Sequence, residues 1–213
     1  MTQATPRWLE YYTSPAARPP KQPPDEGPLK VLPWNIPSYL RTRDGWACWR
    51  YEYDKSWSKP PYIPDTQPAE RAEPSDPQTW RSFEAAYTAY QDMQPHGTNP
   101  GRSYDGVSFA LDERWGLVGV DLDHVSEHKR DAERIVQELN SYTEHTPGRD
   151  GLRIFVRGHL PEGRRRRDWV EMYVHKRFLT VTGQHLDGTP TEIRPSPRLY
   201  DTWQRWLQQG MRS

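Results

Sequence analysis

The stretch V118-G-V-D-L-D-H-V125 places two aspartates inside a run of strand-forming residues. In a strand alternate side chains share a face, so Leu117, Gly119, Asp121 and Asp123 line one side and Val118, Val120 and Leu122 the other. Two residues of strand rise set the aspartates roughly 6.5 Å apart along the chain. A buried carboxylate without a partner is costly, so the pattern predicts a neutralising basic side chain or a metal ion. Carboxylate oxygens suit magnesium or manganese better than zinc, and Gly119 is expected to leave this face open. The alternative is an acidic pair on a half-exposed strand. A third acid, Glu171 of "DWVEMYV", lies on a strand expected to join the same sheet, and three acids on neighbouring strands form a metal platform more often than chance would.

Working outward, "GVSFALDERWGLVGVDLDHV" reads as a hairpin, with strand formers flanking the polar stretch Asp112 to Gly116. A helix is predicted over "KRDAERIVQELN", where Ala132, Ile135, Val136 and Leu139 share a face. "GLRIFVRG", "DWVEMYV" and "RFLTVTG" are three further strands. Upstream, Trp46 to Tyr53 reads as a strand by its aromatic content. Asp76 is placed to cap a helix with Pro77 in its first turn. Trp80, Phe83, Tyr87 and Tyr90 would form that helix's buried face. The order implies an α+β fold with a mostly antiparallel sheet. Residues 1–32 read as a proline-rich, extended or mobile segment, 33–190 as the main domain, and 191–213 as a C-terminal amphipathic helix.

Lysine plus arginine equals aspartate plus glutamate, 29 against 29, so net charge gives no global sign of a nucleic-acid partner. One cysteine, Cys48, excludes an intrachain disulfide framework and a multi-cysteine zinc site. No apolar run approaches the roughly 18 residues that span a membrane. "MTQATPRWLEYY" lacks the regions of a signal peptide, so a cytoplasmic location is expected.

The set "VGVDLDHV", "SYTEHTPGRDGLRIFVRG" and "VEMYVHKRFLTVTGQHLDG" resembles, in order and spacing, the three core motifs of the prim-pol domain. That domain belongs to the archaeo-eukaryotic primase superfamily, in the form carried by phages, plasmids and integrated elements. Upstream, "WACWRYEYDKSWSKPPYIP", "DPQTWRSFEAAYTAY" and "YDGVSFAL" also fit, so the resemblance covers about residues 33 to 190. It implies a primase-polymerase core with an RRM-like catalytic sheet flanked by helices, acting as a template-dependent nucleotidyltransferase in DNA replication.

The resemblance gives Asp121, Asp123 and Glu171 the role of catalytic metal ligands for Mg2+ or Mn2+. It assigns Thr146, Arg149, Arg153, Lys176, Arg177 and Thr182 to the incoming nucleotide. This chain departs from the family in its second motif, where Arg153 stands at the histidine position and Gly148 at that of a serine. Arginine keeps a donor fork suited to phosphate but does not titrate near neutral pH. His145 is a candidate to compensate. Thr182 and Gly183 fit a turn whose backbone amides can approach phosphate.

Arg164, Arg165, Arg166 and Arg167 make the strongest local positive charge, either a solvated loop or a contact to the template backbone. Lys55, Lys59, Trp46, Trp49 and Trp57 offer a basic aromatic surface for single strands, unless the tryptophans are core. His124 and His128 have no cysteine near them to complete a zinc site. The implied partners are single-stranded or primed DNA, ribo- or deoxyribonucleoside triphosphates, and a helicase in cis or trans, with no membrane. Two alternatives use the same residues: a metal-dependent nuclease, and a catalytically silent module that binds single-stranded nucleic acid.

Overall fold

The computed structural model describes residues 6–12, 22–92 and 104–209. Residues 1–5 and 13–21 of the expected proline-rich segment, and residues 210–213 of the expected C-terminal helix, lie outside these. Two main antiparallel sheets dominate. The first has the order β11-β5-β1-β4, built from β1 (Trp46–Trp49), β4 (Pro61–Tyr62), β5 (Gly106–Leu111) and β11 (Arg177–Val181). The second has the order β7-β8-β6-β10-β9, from β6 (Leu117–Asp123), β7 (Thr143–His145), β8 (Gly151–Arg157), β9 (Arg166–Arg167) and β10 (Val170–Tyr173). A small hairpin, β2 (Glu52–Asp54) with β3 (Ser56–Ser58), lies between β1 and β4 in the chain. The helices are α1 (Ser38–Arg41), α2 (Phe83–Asp92), α3 (Lys129–Leu139) and α4 (Leu199–Trp203), which continues as a π-helical turn over Gln204–Gln209. The expected α+β class with mostly antiparallel strands is what the chain adopts.

Alternation along β6 decides where each layer goes. Val118, Val120 and Leu122 join Ala132, Ile135, Val136 and Leu139 of α3 and Trp203 and Leu207 of the C-terminal helix in one core. Leu117, together with Phe155 of β8, turns the other way and packs with Phe109, Leu111 and Leu179 of the first sheet. The five-stranded sheet therefore has a helical layer on one face and a second sheet on the other.

Four local expectations change. The hairpin of β5 with β6 does not form, because both flanks of each strand are already taken: β5 pairs with β1 and β11, and β6 with β8 and β10. The connection makes a 3-10 turn at Glu113–Trp115, leaves through Gly116 in the left-handed region (φ 54°), and steps to the other sheet. Gly119 does not leave its face open. A Cβ there would sit 2.1 Å from Leu179 Cδ1 and 3.1 Å from Leu111 Cδ1, so the missing side chain lets the two sheets close. Asp76 caps only the 3-10 turn Pro77–Thr79; Trp80 is extended, and α2 begins at Phe83. The predicted strand from Trp46 to Tyr53 breaks after Trp49, where the Tyr51 amide donates to Asp105. Trp46 and Trp49 are core, their indoles donating to the carbonyls of Leu40 and Val107.

Candidate nucleotidyl-transfer site

Strand register aligns five charged residues in one row across the second sheet. Glu144 of β7 faces Arg153 of β8, Arg153 faces Asp121 of β6, Asp121 faces Glu171 of β10, and Glu171 faces Arg166 of β9. Directly opposed residues share a face, so all five point toward the first sheet. Asp123, two residues beyond Asp121, stands one step outside this row. The row opens into a cleft of about 520 Å³ that Asp121, Asp123, Arg153, Arg166 and Glu171 line from below. Phe178 to Thr180 of β11, Lys176, Arg177, Ser58 to Pro61 and Arg71 to Pro74 line its remaining sides. Among ionisable lining residues, six cations (Lys59, Arg71, Arg153, Arg166, Lys176, Arg177) meet four acids (Glu73, Asp121, Asp123, Glu171).

The neutralising group predicted for the aspartates is present at Asp121, as an arginine. Arg153 Nη2 donates to Asp121 Oδ2 at 2.7 Å, while its Nη1 donates to the carbonyl and hydroxyl of Thr180 on the facing sheet. Glu171 is buried yet bridged three ways: Arg166 at 2.9 Å, Arg177 at 3.5 Å, and the Tyr173 hydroxyl at 2.7 Å. Asp121 Oδ1 is buried and has no hydrogen-bond partner among the described residues. Burial pushes the Asp123 carboxyl up to about 6, and the charges of Asp121 and Glu171 add to the shift.

The donor set fits a hard divalent cation. Magnesium keeps most of its waters and takes one or two protein carboxylates, and the orphaned oxygen of Asp121 and the carboxylate of Asp123 are of that kind. No group of three or more His, Cys, Asp or Glu side chains among the described residues is arranged to hold an ion. The arginines hold Glu171 in this state.

Other predicted residues fall elsewhere. Lys59, Lys176, Arg177 and Arg166 reach the cleft; Thr146, Arg149 and Thr182 are not among its lining residues. Thr146 is buried in the 146–151 turn, where its amide donates to the Gly151 carbonyl. Arg149 lies 3.6 Å from Glu26. Thr182 is buried, its hydroxyl donating to the His145 carbonyl. The Thr182 and Gly183 amides, expected to face phosphate, donate instead to the two oxygens of Glu144, at 3.0 and 2.8 Å. His145 bonds the Tyr12 hydroxyl at 2.7 Å, and burial brings its pKa down to about 4. Arg164 is exposed, Arg165 and Arg167 are half-buried, and Arg165 donates to the Pro161 carbonyl. Sequence reasoning missed Glu144, Tyr173, Thr180 and Arg71. Glu144 alone carried a signal, as an acid alternating with Tyr142 and preceding a glycine turn.

No protein-family model matches the chain. It is 32% identical over 154 residues to a DNA primase-polymerase of Nitratiruptor phage NrS-1, a match that covers 67% of this chain. The chain carries a prim-pol domain. It spans 20% of that relative's length. The match agrees with the resemblance of the three motifs, and all three supply the charged row: Asp121 from the first, Glu144 and Arg153 from the second and Glu171 from the third.

Proposed function

We propose that this prim-pol chain is a template-dependent nucleotidyltransferase, the primase-polymerase core of a mobile-element replication protein, with the five-stranded sheet as its RRM-like catalytic platform. The observation that carries the reading is the clustering of Asp121, Asp123 and Glu171 on two adjacent strands under a cationic cleft. A divalent ion at Asp121 and Asp123 would lower the pKa of an attacking 3′-hydroxyl and offset charge developing on the phosphoryl group. Glu171 would become a third ligand once a polyphosphate draws Arg166 and Arg177 away from it. Arg177 and Lys176, exposed on the rim, then grip the triphosphate, because a guanidinium fork and an ammonium both suit phosphate oxygens. Arg153 is engaged with Asp121 and orients that carboxylate. A helicase acting in cis or trans would supply the single-stranded template.

The arginine pairing of Asp121 and Glu171 also favours a second reading, a silent module that binds single-stranded DNA. One assay separates the two: extension of a primed DNA template with each nucleotide class and magnesium or manganese. Extension should fall by about 10³-fold or more in Asp121→Ala/Asp123→Ala. Salt-sensitive DNA binding with no extension by the unmodified protein would leave the binding module as the reading.

A further inference from the structure

We infer that Arg153 takes the place of one cation in the acidic site, so that the protein holds a single divalent ion there where two-metal sites hold a pair. The inference rests on the proposed metal-binding reading and sharpens it. In a two-metal site the ions stand about 4 Å apart and share carboxylate oxygens. Here one oxygen of Asp121 is already occupied, 2.7 Å from Arg153 Nη2. The other, Oδ1, is buried and unpartnered, which leaves one inner position, shared with Asp123.

Arg153 cannot easily vacate its place. Its side chain is 5% exposed, Nη1 is fastened to Thr180 on the opposite sheet, and the strand register sets it directly across from Asp121. Arg166 and Arg177, which bridge Glu171, have side chains 64% and 48% exposed, so they can turn to phosphate without disturbing the inner pair.

The experiment is Mn2+ titration of the full chain without nucleotide, followed by electron paramagnetic resonance and calorimetry. It compares the unmodified protein with Arg153→Gln and Arg153→Lys. One ion per chain is expected for the unmodified protein and for Arg153→Lys, which keeps the charge. Arg153→Gln should take a second ion or bind the first at least 10-fold more tightly. Two ions in the unmodified protein, or an Arg153→Gln curve that overlays it, overturns the inference and leaves the metal reading standing. No Mn2+ bound by any of the three chains overturns the metal reading itself, and the inference with it. Arg153→Lys matching Arg153→Gln would also overturn it, since loss of shape would then account for the change.

Discussion

Burial against Tyr12 holds the His145 ring neutral, and the same burial makes it a source of acid sensitivity. Its folded pKa is lowered from 6.5 to about 4. Above pH 6.5 the ring is neutral in both folded and unfolded chains and costs nothing. As pH falls below 6.5 the unfolded chain takes up a proton that the folded one refuses until about pH 4, so stability is lost across that window. The unmodified protein should lose roughly 2 kcal/mol more than His145→Gln between pH 7 and pH 4.5, read from urea midpoints. The Asp123 carboxyl is shifted in the opposite direction, but equally in both proteins, so it cancels in the comparison. Equal losses would show that the ring is not the source.

At the scale of the element, the run from Arg164 to Arg167 divides into unlike members because β9 pairs with β10. Arg166 reaches Glu171 at the cleft edge yet stays largely exposed, and Arg164 is exposed as well, while half-buried Arg165 packs near Pro161. Only this exposed pair, Arg164 and Arg166, is placed to follow a nucleic-acid backbone. Arg164→Ala/Arg166→Ala should reduce the salt slope of single-stranded DNA binding by roughly 1.4, about 0.7 for each phosphate that is no longer neutralised. Arg165→Ala/Arg167→Ala should leave the slope nearly unchanged. Fluorescence anisotropy across a salt series measures both, and matching losses would return the run to an undifferentiated basic loop.

How much of the fold and site is readable in the chain depends on the range of the interaction. The two faces of β6 and the apolar face of α3 follow from side-chain periodicity, which is local, and the structure reproduces both. That Glu171 shares a sheet with Asp121 also follows, but its place directly beside Asp121 does not, because β10 pairs with β6 across the intervening α3, β7, β8 and β9. The supposed hairpin fails because periodicity shows that β5 and β6 are strands without showing that their edges are taken by β1, β11, β8 and β10. Gly119 reads as a gap in its own strand, yet what fills that gap, Leu179, comes from a strand of the other sheet. The arginine partners of the acids, and Arg71 on the cleft wall, are hidden for the same reason: register between strands places them.

Across the whole molecule the charged row runs from the interior to the surface, and its energetics should follow that gradient. Glu144 is fully buried, and burial raises its pKa against the pull of the Thr182 amide, the Tyr142 hydroxyl and the Gly183 amide. The two amide bonds join β7 of one sheet to the chain just beyond β11 of the other, and the Thr182 carbonyl in turn accepts the Leu32 amide from the N-terminal segment. Glu144→Ala strands two buried amides and a phenol at the seam between layers, each worth about 1–3 kcal/mol when unpaired. The expected loss is about 3–5 kcal/mol. At the other end Arg166 is largely exposed, and Glu171 keeps Arg177 and Tyr173 without it. Arg166→Ala should therefore cost at most about 1 kcal/mol. Urea denaturation at neutral pH of the two variants, with Arg153→Ala between them, measures the slope along the row. A flat series, or one in which Arg166→Ala costs most, would mean that the row is not graded from a buried structural end to an exposed, adaptable one. It would also remove the basis for treating Arg166 as free to leave Glu171 when phosphate arrives.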